Sequence, residues 1–387
     1  MSIRPSRVGI LTLTQSENYG TVLQAYATHQ LLNSAPSRDL YSLIPTDVHQ
    51  VRRRRVLSLA NPKNPSSGMT RLRNFAEMRS FIRPFTDTRD GKRWVDISSR
   101  QSAINYLNSR YSGFITGSDE IWNLAFVGDK SIYYVPPTTG KVRASFATSA
   151  NRLDISKLSR ETREILRASL DSYAYISVRD SNTRSFIENI LDRPTPIDEI
   201  VDPTIIHGLP EFIRTPSDNP REGRKRILMM VRDRQVGDEL ISRFHNVADI
   251  DTVFVRYSDA KFLHLTPGEY VGCFGEYDCV VTDYFHGTCM SVLNKAPFVS
   301  FDSEALYSQY ESKIKNLLTK LGLNDHYADL SGNPSGTTSS LIETVDRMLT
   351  APPAWTADAA IEREREHGLA ALERIRSAIS EGLASVR

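Results

Sequence analysis

Four short stretches gather side chains that can hold anions, move protons or recognise hydroxyls. The most specific is Val280-Val281-Thr282-Asp283-Tyr284-Phe285-His286-Gly287-Thr288, an apolar run that breaks into a polar turn and then a helical pattern. A strand-to-helix junction of this kind leaves the first amides of the helix without partners, which favours an anion there. Histidine changes charge near neutral pH, so His286 can donate to a phosphate or pass a proton. A histidine by itself more often serves the core; at a strand end, beside Asp283 and Gly287, it becomes a catalytic candidate. The stretch Gly117-Ser118-Asp119-Glu120-Ile121-Trp122-Asn123 offers a carboxylate pair, an indole and an amide after an apolar strand. These types suit a sugar, because aromatic faces stack on pyranose rings and carboxylates accept from hydroxyls; the plainer alternative is an N-cap by Ser118 or Asp119.

In Ser177-Val178-Arg179-Asp180-Ser181, an arginine follows directly on an apolar strand, where its planar fork suits a carboxylate or phosphate. A local pair with Asp180 is the alternative. In Glu17-Asn18-Tyr19-Gly20-Thr21-Val22-Leu23-Gln24-Ala25-Tyr26, Gly20 permits close backbone approach and Asn18 and Gln24 can read hydroxyls. The spacing is not GxGxxG, so a dinucleotide site is not supported, and Asn18 serves equally as a helix cap. Cys279, His286 and Cys289 fit no usual zinc spacing, and three cysteines are too few for a disulfide framework, so buried thiols and no metal are expected.

The elements that must position these residues alternate between β-branched runs and helical periods, which predicts α/β layers with parallel sheets. Strands are expected at 8–13, 41–44, 114–116, 143–147 and 174–178, and, after a breaker-rich linker at 210–224, at 227–231, 252–255, 279–282 and 298–301. Helices are expected at 21–32 and at 308–321, where Ile314, Leu317, Leu318 and Leu321 face inward and Gly322 caps. The stretch 356–386 carries Leu369, Leu372, Ile375, Ile379 and Leu383 at helical spacing. The expected domains are 1–208, 224–350 and a closing amphipathic helix at 355–387.

The 387 residues carry 48 Lys and Arg against 46 Asp and Glu, a net charge of +2 that argues against a nucleic-acid binder. Between residues 52 and 93, however, twelve basic residues face three acidic ones, a balance of +9, so the remainder sums to −7. This segment opens with Arg52-Arg53-Arg54-Arg55, reads as a mobile loop through 61–68, and continues into a helix with Leu72, Phe75, Met78 and Ile82 on one face. A solvated loop is the plain reading; attraction to an anionic membrane surface or a phosphorylated acceptor is the sharper one. The start Met1-Ser2-Ile3-Arg4-Pro5 shows no secretory apolar region and no run spans a bilayer, so a cytoplasmic location is expected.

Together the motifs resemble the polysaccharide pyruvyl transferase family. Asn18-Tyr19-Gly20 with Leu23-Gln24-Ala25-Tyr26, then Gly117-Ser118-Asp119-Glu120-Ile121-Trp122-Asn123, Ser177-Val178-Arg179-Asp180, Val201-Asp202-Pro203-Thr204 and Thr282-Asp283-Tyr284-Phe285-His286-Gly287 follow the family's order, and Asn316-Leu317-Leu318 with Leu321-Gly322-Leu323 resembles its late helix. The resemblance implies a GT-B-like fold, two doubly wound Rossmann-like domains facing a cleft, and a transferase that takes phosphoenolpyruvate as co-substrate without a resident cofactor. Its product is a pyruvate ketal on two hydroxyls of a polysaccharide or lipid-linked oligosaccharide. Carried over, Arg179 and His286 would hold the donor's carboxylate and phosphate, and Asn18, Asp119 and Trp122 would face the acceptor. Around these, the residue types add Arg232, Gly287, Thr288 and Lys313 as donor-side candidates and Tyr19, Gln24, Ser118 and Asn123 as acceptor-side ones, with His286 and Asp119 or Asp283 as candidates for the proton transfers. The chain departs from the family pattern at Tyr284, where serine or arginine is usual, at Glu120, where glutamine is commoner, and at Lys313, where arginine often stands. The rival readings are a GT-B glycosyltransferase using a nucleotide sugar, which lacks a clear Glu-containing ribose motif here, and a catalytically silent glycan-binding homologue.

Overall fold

The computed structural model describes residues 7–14, 16–34, 40–47, 65–88, 95–96, 100–128, 131–151, 153–214, 223–302, 311–330 and 338–385. The four-arginine run and the part of the expected loop at 61–64 lie outside these. The chain divides into two units, Met1–His207 with Glu364–Arg387, and Gly208–Arg363.

In the first unit, β1 (Val8–Leu11), β2 (Tyr41–Leu43), β5 (Gly113–Thr116) and β6 (Val142–Ser145) form a parallel sheet in the order β2-β1-β5-β6. Single bridges at Ala144–Tyr175 and Thr148–Val178 carry the sheet towards β7 (Ser177–Val178), which pairs with β8 (Asp198–Glu199). A small pair, β3 (Thr46–Asp47) and β4 (Val95–Asp96), lies apart. The second unit holds β9 (Lys225–Met230), β10 (Ala248–Thr252), β11 (Lys261–Phe262), β12 (Cys279–Thr282), β13 (Phe298–Asp302) and β14 (Tyr327–Asp329), all parallel in the order β11-β10-β9-β12-β13-β14. Both orders run outward from the first strand in two directions, which is the doubly wound arrangement. Strands covered on both faces read as continuous apolar runs, which is why β1 and β12 are buried at every position.

Four expected elements shift. The strand placed at 252–255 lies at Ala248–Thr252, because Asp251 is satisfied inside the sheet by Arg226 at 3.1 Å and Tyr277 at 2.6 Å, a polar position that sequence patterning discounts. The helix placed at 308–321 begins at Lys313, where Ser312 accepts from the amides of Ile314 and Lys315. Gly322 ends it in the left-handed conformation, at φ 70°. The helix Pro65–Ile82 takes in the last part of the expected loop; it buries Met78 and Ile82, while Leu72 is 46% exposed. The closing helix, Asp358–Ala384, buries Gly368, Ala371, Leu372, Ile375 and Ile379, and Leu369 faces solvent. Rather than forming a separate segment, from Glu364 onward it completes the first unit. Gly368 and Gly382 pack so closely on Ile206 and Val142 that a Cβ on either would come within 2.4 Å. Arg376 ties the same helix to the Leu31 carbonyl at 2.6 Å.

Candidate active site

In open parallel sheets, ligands sit beyond the carboxyl ends of the strands where the winding reverses. In the second unit that point lies between β9 and β12, whose last residues, Met230 and Thr282, are level. Arg232 and Asp283 therefore emerge side by side. The Asp283 carboxylate accepts the Arg232 amide at 3.2 and 3.0 Å, and Nε of Arg232 lies 3.4 Å from it. The guanidinium also donates to the Asp283 carbonyl and lies over the Tyr284 ring at 4.9 Å. Burial raises the pKa of Asp283, opposed by the charge and amide of Arg232. These contacts tie the Asp283 carboxylate to Arg232.

The helix Phe285–Leu293 starts at this point with Tyr284 as N-cap and no side-chain cap. Its first turn carries His286, half-buried, with the ring edge-on to Phe285 at 5.3 Å. Gly287 lets the helix close on β12, since a Cβ there would come within 2.4 Å of Thr282 Oγ1. Thr288, expected at the donor, is buried instead, its hydroxyl 2.8 Å from that of Ser300. Lys313 opens the helix Lys313–Leu321 and sets its ammonium 5.5 Å from the Phe285 ring. Nearby Asp302, at the end of β13, has a pKa raised by burial and opposed by bonds from Ser312 and Tyr327 and by the Lys313 charge. The second unit thus brings His286, Arg232 and Lys313, through Tyr284 and Phe285, to one uncapped helix end.

In the first unit the reversal lies between β1 and β5, where Leu11 is level with Thr116. The loops that follow are knitted together: Thr12 donates to the Ser118 carbonyl at 3.0 Å, Gln24 donates to Thr12 at 3.0 Å, and the Ser118 hydroxyl donates to Gln24. Gln24 and Ser118 are fully buried and Tyr19 almost so; this loop network, rather than an acceptor, takes up the polar groups of Gln24 and Ser118. Gly117 holds φ 123° with the Phe146 carbonyl only 2.0 Å from a would-be Cβ, so no other residue fits there.

Trp122 is not the exposed platform that the residue type suggests. Its ring is fully buried, stacked on Tyr134 at 5.2 Å and edge-on to Tyr173 at 5.6 Å, and its Nε1 donates to the Tyr133 carbonyl. No sugar can stack on a ring so enclosed. Asn18 and Asn123 both act as helix caps, accepting from the amides of Gly20 and Ala125.

Asp119 sits at φ 78° and is 8% exposed. Its Oδ1 lies 4.0 Å from the buried Arg179, which donates to Asp202 at 2.7 Å rather than pairing locally with Asp180. Asp202 also accepts from the amide and hydroxyl of Thr204 at 3.0 and 2.8 Å. Burial works against the charge on Arg179, but Asp202, Asp119, Glu120 and Asp180 together outweigh it and raise its pKa. Asp180, raised by burial, caps the helix Ser181–Leu191 and accepts from Ser149 at 2.6 Å. Asp202 belongs to a quoted motif, yet nothing in the sequence marks it as the partner of Arg179. Phe254, whose ring stacks on Tyr284 at 4.5 Å, leaves no sequence signal at all. Cys273, Cys279 and Cys289 are buried and form no disulfide, and among the described residues no three His, Cys, Asp or Glu side chains cluster as a metal site.

No curated protein matches the chain. Among solved structures it is similar to a UDP-N-acetylglucosamine 2-epimerase from Rickettsia bellii (9% identity, 99% of this chain and 98% of that one, TM-score 0.53) and to S. aureus MnaA in a structure with UDP (11%, 96% and 98%, 0.52). It is also similar to the Methanocaldococcus jannaschii UDP-GlcNAc 2-epimerase in complex with UDP-GlcNAc and UDP (10%, 92% and 98%, 0.51). At such identities the likeness concerns the fold, two doubly wound α/β domains of the GT-B-like class. The family model described as polysaccharide pyruvyl transferase matches residues 18–304, about three quarters of the sequence, so the chain belongs to the polysaccharide pyruvyl transferase family.

Proposed function

We propose that the protein moves the enolpyruvyl group of phosphoenolpyruvate onto two hydroxyls of one sugar in a polysaccharide or lipid-linked oligosaccharide, closing a pyruvate ketal and releasing phosphate. The observation that carries this reading is the uncapped start of the helix Phe285–Leu293, flanked by His286, Arg232 and Lys313. Amides at a helix start and cationic side chains are the groups a phosphate dianion selects. The chemistry follows from the donor. A proton added to the methylene carbon turns it into a methyl group and leaves C2 cationic. The first hydroxyl adds to C2 and loses its proton; the second displaces phosphate, and its proton leaves with that group or with a base. His286 is assigned to the phosphate or to the protonation of the methylene. Phosphoenolpyruvate is a co-substrate, and the reaction calls for no resident cofactor.

Incubating the protein with phosphoenolpyruvate and a set of candidate glycans, and following inorganic phosphate, tests the reading. Release that requires both substrates supports it. Because the fold is shared with proteins solved with UDP and UDP-GlcNAc, nucleotide sugars with the same glycans form the control arm, followed by release of nucleoside diphosphate, and turnover there without phosphoenolpyruvate would replace this reading by the glycosyltransferase one.

The proposal extends to the cytoplasm and, for a lipid-linked acceptor, to the inner membrane face. Among the described residues no helix is long and apolar enough to cross a membrane. Of the basic segment, Arg73 and Arg83 are described and exposed. Flotation with anionic vesicles is expected to carry the protein at low salt and release it at high salt. Equal flotation with neutral vesicles would remove the electrostatic contact.

A further inference from the structure

We propose that Phe254, Tyr284 and Arg232 form a stack that fixes the Arg232 guanidinium at the uncapped helix start, with Phe254 and Tyr284 as positioning residues for donor binding. The proposal rests on the donor site described above and goes beyond it to Phe254 and to the residue at 284.

The stack begins with a rare backbone conformation. Just past β10, Phe254 holds φ 72°, and the Val255 amide donates to the Val253 carbonyl at 2.9 Å around it. This is a γ-turn of the positive-φ kind, which bulky side chains seldom adopt and which tends to occur where geometry serves function. The turn lays the Phe254 ring on Tyr284, with centroids 4.5 Å apart and planes within 19°, while Tyr270 meets Phe254 edge-on at 6.2 Å. The same Tyr284 ring has the Arg232 guanidinium centred 4.9 Å away, so one ring is in contact with both Phe254 and Arg232. Asp283 then holds both the same guanidinium, with Nε 3.4 Å from its carboxylate, and the Arg232 amide.

The Arg232 side chain is nonetheless 50% exposed. Side chains that open to solvent usually sample many rotamers, and ordering one on binding lowers affinity. Here the ordering is built in beforehand by the Tyr284 ring and Asp283. The arrangement uses the Tyr284 ring and not its hydroxyl, so phenylalanine should serve nearly as well and an aliphatic residue should not.

The test compares the full-length parent, Tyr284→Leu, Tyr284→Phe, Phe254→Leu, Arg232→Ala and the Arg232→Ala/Tyr284→Leu double variant. It reads KM and kcat for phosphoenolpyruvate and calorimetric affinity for inorganic phosphate. Tyr284→Leu is expected to weaken both affinities about tenfold, appearing in KM rather than kcat, with Tyr284→Phe recovering most of the loss. In the Arg232→Ala background the same leucine change should add nothing, because its effect passes through the guanidinium. Phe254→Leu should shift affinity in the same direction and reports on the stack if Tyr284→Leu fails to fold. Equal losses in both backgrounds, or parental affinity in Tyr284→Leu, would overturn the proposal. A parent that binds phosphate but never releases it from phosphoenolpyruvate overturns the donor reading instead, and the cycle on inorganic phosphate still decides the stack.

Discussion

With phosphoenolpyruvate and an acceptor supplied, His286→Ala is expected to lower turnover by about 10²–10⁴-fold, the range lost when a positioned proton donor or acceptor is removed. The same variant should melt within about 2 °C of the parent. The reason lies in where the residue sits. It occupies the first turn of the helix Phe285–Leu293 and is only half-buried, whereas Cys289, Met290 and Val292 anchor that helix in the core. Truncating the imidazole therefore empties the helix start without opening a cavity behind it. His286→Gln separates the two roles assigned to the ring. Its amide can still donate to a phosphate oxygen, so partial recovery points to anion binding, and no recovery points to proton transfer. Parental turnover in His286→Ala would remove the residue from the reaction altogether.

The second large effect concerns Arg179. Its Nη1 lies 2.7 Å from Asp202, and both side chains are almost wholly excluded from solvent. Removing one partner of such a pair leaves the other charge buried without compensation, which costs about 3–5 kcal/mol. Arg179→Ala is therefore expected to destabilise the first domain by that amount in urea unfolding. Adding Asp202→Asn should restore part of the loss, because it neutralises the stranded charge while keeping an oxygen for the Thr204 amide and hydroxyl. A double variant less stable than Arg179→Ala alone would contradict this account. Unchanged stability with a raised KM for phosphoenolpyruvate would return Arg179 to the donor role that the family resemblance gives it.

What the sequence made legible follows from the physics of parallel sheets. β12 reads as apolar from Cys279 to Val281 and is buried through Thr282, and the polar turn after it locates the His286 helix without knowledge of any neighbour. β10 escaped the pattern because Asp249 and Asp251 interrupt it, although Arg226 and Tyr277 satisfy Asp251. Trp122 was misleading for a related reason. An indole after a strand suits a sugar platform only if it is exposed, and here Tyr134, twelve residues on, folds back to cover it. The pairing of Arg179 with Asp202 and the turn at Phe254 depend on contacts and backbone angles that residue types alone do not encode.

The closing helix has a consequence for how the protein is made. Residues from Glu364 onward belong to the first domain, but the whole of Gly208–Arg363 precedes them in the chain. At ribosomal speeds of about 5–20 residues per second, the nascent first domain waits on the order of 10–30 s for the segment that packs on Ile206 and Val142. During that interval its apolar seam is open to chaperones, and the order of synthesis obliges the inserted domain to emerge before the domain that encloses it in sequence is complete.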